Sequence, residues 1–306
     1  MGHSELASPG SWRHLLADLA EFARRRLAGE YEVDEFGFDP DLNAAVFMPV
    51  ALVLYREWFR VQLRGLEHVP DTGPALIVAN HSGVLPLDAI MLQAGVYADH
   101  SAHRHLRLLG ADLVYELPLL RDMARKSGHT RASPGCAGAL LRAGELVGVF
   151  PEGFKGIGKP FSERYRLQRF GRGGFARTAI GAGVPIIPCA IVGAEEIYPM
   201  IGNAARTARL LRLPYFPVTP LFPWLGPLGA VPLPSNWIIE FCEPVPVPEL
   251  AAGASDDESD DEADDWADDS LPDRDDEVVT ELAGHVRGVI QAKLDDLVAD
   301  RGPAFS

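Results

Sequence analysis

Ala75-Leu76-Ile77-Val78-Ala79 is an unbroken aliphatic run with the length of a strand buried on both faces. Short runs of the same kind recur at Leu106 to Leu109, Leu146 to Phe150, Pro185 to Val192 and Ile238 to Phe241. Between them lie stretches with helical character, Pro86 to Ala94, Pro134 to Ala143 and Gly174 to Ala182, some closed by glycine. This alternation predicts an α/β fold: a mixed, mostly parallel sheet covered by helices on both faces, with N-terminal amphipathic helices and a C-terminal helix. In such sheets ligands bind beyond the carboxyl ends of the strands. Two runs lead there into reactive residues: Asn80-His81-Ser82-Gly83-Val84-Leu85-Pro86-Leu87-Asp88 and Phe150-Pro151-Glu152-Gly153-Phe154-Lys155-Gly156.

An alcohol attacking a thioester needs a base for its proton, and a neutral imidazole suits that work near neutral pH. A carboxylate on the other ring nitrogen fixes the tautomer and stabilises the imidazolium, which makes His81 and Asp88 a candidate dyad. In one straight helix the two would stand about 10 Å apart along the axis. The pair therefore requires Ser82 to Leu85 to fold back as a turn, helped by Gly83, with Pro86 opening the helix and Asp88 in its first turn. The plainer readings are an Asp88 that complements the helix N-terminus and an ordinary loop histidine.

Downstream, the glycines after Glu152 let a ligand approach the backbone. From Lys155 to Arg177 the chain carries Lys155, Lys159, Arg164, Arg166, Arg169, Arg172 and Arg177 against Glu163 alone, a local excess of +6. That excess suits a phosphate-bearing substrate, with a solvated basic face as the alternative. Arg131, in Gly128-His129-Thr130-Arg131, is a further phosphate candidate. Asp99, His100, His103 and His105 read as a surface loop, and no metal is expected. There is no Gly-x-Ser-x-Gly elbow, so a covalent serine mechanism lacks support.

The 306 residues suffice for one substantial core. Of the net charge of −15, Asp256 to Glu277 contributes −13, from fourteen acids and one arginine, so the remainder is near −2. That acidic run reads as a disordered linker, residues 251–277, and offers nothing to nucleic acid. Val278, Leu282, Val286, Val289, Ile290, Leu294 and Leu297 then recur at helical spacing, predicting a helix in 278–306 that docks on the core. Three separated cysteines imply no disulfide framework, and Met1 to Gly10 lacks a signal-like pattern, so a cytoplasmic location is expected.

Residues 1–63 form an N-terminal helical segment ahead of a catalytic domain over 64–250. Trp12 to Leu27 is an amphipathic helix ending in Arg24-Arg25-Arg26, which suits either an anionic lipid surface or a solvated helix C-terminus. Phe36 to Phe59 suits a membrane interface or a helix packed on the core. Seven prolines between Pro214 and Pro234, interleaved with Tyr215, Phe216, Phe222 and Trp224, predict a structured loop carrying exposed apolar groups. Such a loop can enter lipid, line an acyl-chain groove or fold onto the protein's own core.

Asn80-His81 with Asp88, followed by Phe150-Pro151-Glu152-Gly153 and Val184-Pro185-Ile186-Ile187-Pro188, resembles the glycerolipid and lysophospholipid acyltransferase superfamily over about Gly65 to Gly193. That family typically carries four residues between the histidine and the aspartate; here there are six. Lys155 stands where an arginine is common. The resemblance implies transfer of a fatty acyl group from acyl-CoA or acyl-carrier protein, as co-substrate, to a glycerolipid hydroxyl, with no other cofactor. It implies His81 as general base, Asp88 as its partner, and Glu152, Gly153 and Lys155 in acceptor-phosphate binding. A peripheral enzyme on the inner membrane face follows from it, with a lipid-binding protein lacking turnover as the competing class.

Overall fold

The computed structural model describes residues 9–82, 85–116, 118–153, 156, 158–171, 173–210, 215–248 and 274–305. Its strands are β1 (Gln62–Arg64), β2 (Ala75–Ala79), β3 (Leu106–Gly110), β4 (His129–Arg131), β5 (Leu146–Val149), β6 (Ile186–Val192), β7 (Gly202–Asn203), β8 (Pro217–Val218) and β9 (Ile238–Phe241). The principal helices are α1 (Pro9–Ala28), α2 (Leu87–Asp99), α3 (Pro118–Lys126), α4 (Pro134–Arg142), α5 (Gly174–Ala182) and α6 (Arg274–Asp300). Seven strands make one sheet in the order β1-β9-β6-β2-β5-β3-β4, and β7 pairs with β8 apart from it. All neighbours in the large sheet run parallel except β6 and β9. The mostly parallel, helix-covered α/β architecture is therefore as expected, with every anticipated strand present.

The edge strands β1 and β4 were not anticipated. Each has three residues with partly exposed or polar members, so neither carries an aliphatic run. Central β2 is buried at every position. Ala75, Ile77 and Ala79 face one apolar core, and Leu76 and Val78 face the other. Burial of each larger aliphatic side chain contributes about 1.5–3 kcal/mol.

On the first face the helical segment 40–58 and α2 supply Met48, Tyr55, Met91 and Leu92 to the core. Segment 40–58 contains two wide π-helical turns, Asn43–Phe47 and Leu54–Trp58. It buries Met48, Ala51 and Tyr55 against the core, as the core-packed reading expects, and leaves Val46, Val50, Val53 and Trp58 exposed. The arginines that end α1 are paired within the chain, Arg24 with Glu21 and Glu30, Arg25 with Asp41, Arg26 with Asp39. Among the described residues no helix is long and apolar enough to cross a membrane.

On the second face α4, α5 and α6 contribute Leu140, Ala176, Val279, Val286, Ile290 and Leu294. Helix α6 starts at Arg274, four residues before the expected 278, because Arg274 to Glu277 extend it upstream; the rest of the acidic run lies outside the described residues. Adjacent parallel strands β2 and β5 thus lead to crossovers on opposite faces, through α2 and α5. The crevice this opens at their carboxyl ends is the ligand position of open α/β sheets.

Between β1 and β9 the backbones approach closely at Gly65, whose φ is +72° and whose added Cβ would lie 2.1 Å from the Phe241 carbonyl oxygen. A side chain there meets both a left-handed backbone and an unyielding atom. Gly65→Ala is expected to lower unfolding free energy by at least about 2 kcal/mol in urea denaturation. A loss under about 0.5 kcal/mol, the range of ordinary surface changes, contradicts this packing.

Candidate active site

Where β2 ends, Asn80 is fully buried and its side chain continues the sheet. Its Nδ2 donates to the Ile191 carbonyl at 2.9 Å and its Oδ1 accepts from the Ile191 N–H at 2.7 Å. The ladder pairs Ala79 with Cys189 just before, so the amide takes over from the backbone as the chain leaves the strand. His81 thereby follows directly at the carboxyl end of β2.

The His81 Nδ1–H donates to Asp88 Oδ2 at 2.7 Å. Asp88 is drawn in by two further donors, the Ser82 N–H to Oδ2 at 2.8 Å and the Ala89 N–H to Oδ1 at 2.8 Å. All three partners donate, which is the environment of a carboxylate. The chain does turn back between His81 and Asp88, although Gly83 and Val84 lie outside the described residues. Pro86 precedes the helix, which starts at Leu87, and Asp88 sits in its first turn. The His81 side chain is 16% exposed and the Asp88 side chain 0%. With Nδ1 bound, the tautomer leaves the Nε2 lone pair as the ring's proton acceptor. Phe150, the first residue of the second motif, packs its ring with a centroid 4.7 Å from that of the imidazole.

The structure turns Glu152 away from its expected place in acceptor binding. Its side chain is 0% exposed, and both oxygens are engaged by the protein. Oε1 accepts from the His81 N–H at 3.0 Å; Oε2 accepts from the Gln168 N–H at 2.7 Å and faces Lys159 Nζ at 3.4 Å. A Cβ on Gly156 would come within 2.7 Å of Glu152 Cβ and 3.0 Å of the His81 carbonyl oxygen, so glycine closes this packing. Gly153 is exposed, with φ +52° and open space around its Cα. Lys155 lies outside the described residues.

Among the described cations of the stretch from Lys155 to Arg177, one is turned inward and another is paired. Lys159 is buried, bonded to Glu195 Oε1 at 3.0 Å and to the Arg166 carbonyl at 3.2 Å. Burial pushes the Glu195 carboxyl up to about 7 against the opposing pull of Lys159. Arg177 pairs with Asp276 at the start of α6, Arg164 lies over the Phe161 ring, and Arg172 is outside the described residues. Sequence grouped Lys159 with these charges; the fold buries it.

Arg131 ends β4, 59% exposed and 3.0 Å from Asp112. It lines a cleft of about 340 Å³ with Arg121, Arg125, Tyr115 and Thr130. The Tyr115 and Thr130 hydroxyls there are buried without a partner among the described residues. This second polar site was visible only through Arg131. Burial, then the Asp88 charge, push the phenol of Tyr215, in the proline-rich stretch, up to about 12. Asp99, His100 and His103 each bond within the protein, to Tyr55 Oη, the Val69 carbonyl and the Tyr97 carbonyl.

Residues 60–192 match the family model described as Acyltransferase. An uncharacterized protein of Mycobacterium tuberculosis (strain ATCC 25618 / H37Rv) is 50% identical over 300 residues, 98% of this chain and 78% of that protein. The human DGAT1/2-independent enzyme synthesizing storage lipids is 30% identical over 168 residues, 54% of this chain and 50% of that protein. The 1-acyl-sn-glycerophosphate (LPA) acyltransferase PlsC from Thermotoga maritima superposes with a TM-score of 0.52 over 85% of this chain and 83% of that one, at 17% identity, a likeness of fold. The anticipated resemblance holds, and the chain belongs to the acyltransferase family.

Proposed function

We propose that the protein moves a fatty acyl group from an acyl thioester, acyl-CoA or acyl-carrier protein, to the hydroxyl of a glycerolipid or lysophospholipid. The observation that carries this reading is the asymmetry of the His81 ring, with Nδ1 held at 2.7 Å by a fully buried carboxylate while the side chain keeps 16% of its surface exposed at the carboxyl end of β2. Nε2 takes the acceptor's hydroxyl proton as its oxygen bonds to the thioester carbonyl carbon. Collapse of the tetrahedral adduct breaks the carbon–sulfur bond, and the departing thiolate takes the proton from the imidazolium. The products are an ester and a free thiol, without an acyl-enzyme. Asp88 holds the tautomer and stabilises the imidazolium between the two transfers.

For the acceptor, Arg121, Arg125 and Arg131 on one cleft suit a phosphate, and Gly153 and Lys155 remain proposed acceptor contacts. The competing reading, lipid binding without turnover, would be favoured by a separated His81 and Asp88; their hydrogen bond supports catalysis instead.

The protein is further proposed to act as a peripheral protein on the inner membrane face. Residues 213–239 contain no charged side chain. Trp224 is 73% and Leu228 70% exposed in this stretch. Trp58 Nε1 donates to the Pro232 carbonyl at 3.1 Å, which joins the loop to the exposed apolar side of segment 40–58. Exposed tryptophan and leucine on a charge-free surface suit a lipid interface.

Labelled acyl-CoA and acyl-carrier protein offered with a panel of lysolipids and glycerides test the activity. The parent is expected to form labelled ester, His81→Ala to lose it by at least about 10²-fold while staying folded, and Asp88→Asn to fall similarly. Retained turnover in His81→Ala removes the mechanism. Arg131→Ala is expected to raise KM chiefly for phosphate-bearing acceptors. In flotation with anionic vesicles, Trp224→Glu combined with Leu228→Glu is expected to reduce the bound fraction; unchanged binding contradicts this docking face.

A further inference from the structure

We propose that Lys159 is a positioning residue for His81, acting through Glu152, and that helix α6 forms the other side of the same clamp. The inference rests on the acyl-transfer reading of the dyad and deepens it. The Lys159 ammonium donates to Glu195 Oε1 at 3.0 Å and to the Arg166 carbonyl at 3.2 Å, and forms an ion pair with Glu152 Oε2 at 3.4 Å. Its side chain is 3% exposed. A buried ion cluster seldom adds stability over an apolar replacement, because desolvation offsets the attraction. What this one does is define the position of a carboxylate.

Glu152 spends that carboxylate on main chain. One oxygen takes the His81 N–H, whose nitrogen is bonded to the base's own Cα, and the other takes the Gln168 N–H. With Lys159 beside it, Glu152 stays an acceptor at both oxygens; without the cation, two carboxylates, Glu152 and Glu195, share a dry pocket uncompensated. Gln168 is in turn fixed from outside the sheet. Gln291 of α6 donates to the Tyr165 carbonyl at 2.9 Å and accepts from the Leu167 N–H at 2.9 Å. Arg287 donates to the Leu167 and Gln168 carbonyls at 2.6 and 3.1 Å. The path from α6 through residues 165–168 and Glu152 therefore ends on the backbone of the catalytic histidine.

Displacement of a reacting group by 1 Å can cost about 10² in rate. Lys159→Met is accordingly expected to lower kcat by about 10- to 100-fold with KM changed less than about threefold. Lys159→Arg, which keeps the charge, is expected to return kcat to within about tenfold of the parent. Hydrogen–deuterium exchange read on peptides covering 79–89 supplies a measure independent of turnover. Lys159→Met is expected to speed exchange there by about tenfold or more while α4 and the β9 region keep parental rates. If Lys159→Met does not fold, Lys159→Gln, which retains a donor without the charge, is read for the same quantities. Parental kcat, or parental exchange at 79–89 in a folded variant, overturns the proposal. A parent without turnover on any acyl donor removes the acyl-transfer reading, and the exchange comparison still decides whether Lys159 holds this loop.

Discussion

The structure is organised around one hydrogen bond, from the His81 ring to a carboxylate with no access to solvent. A charged group in that position is tolerated only where donors surround it, and Asp88 has the Ser82 and Ala89 amides besides the imidazole. The demand runs outward. Ser82 can reach Asp88 only if the chain turns immediately after β2, and it can turn there only because the Asn80 side chain closes the sheet in place of the backbone. Each residue of the first motif thus answers for the placement of the next.

The second motif completes the same construction from a neighbouring strand. Strands β2 and β5 pair in parallel, so the residues that follow them emerge side by side, and Glu152 meets the His81 amide across a gap of 71 positions in sequence. Their crossover helices leave on opposite faces of the sheet. The basic cleft at β4 stands three strand spacings from β2, roughly 14 Å along the sheet. An acceptor reaching from a phosphate site there to a hydroxyl at His81 would lie over the ends of β3 and β5.

Much of this was legible in the chain before its folding was known. The aliphatic runs identify the buried strands because parallel strands covered on both faces need continuous apolar sequence. The edge strands β1 and β4 escape that rule, having only three residues each and one neighbour. The dyad was visible as residue types at the end of a strand, but its geometry was not: a straight-helix separation of about 10 Å becomes a 2.7 Å contact because the intervening residues turn out of line. Glu152 and Lys159 show the opposite limit. Local sequence groups them with ligand-directed charges, whereas their direction is decided by partners distant in sequence, His81, Gln168 and Glu195. Composition cannot reveal that a lysine in a basic run points inward.

The central claim is that Asp88 holds His81 with Nδ1 protonated and Nε2 available. Nitrogen-15 NMR of the histidine-labelled protein, with His81 assigned from the spectrum lost in a His81→Gln chain, reads that tautomer directly. At pH above the ring's titration, the account predicts a protonated Nδ1 and an unprotonated Nε2 for this residue. A His81 ring protonated at Nε2, with Nδ1 bare, would contradict it.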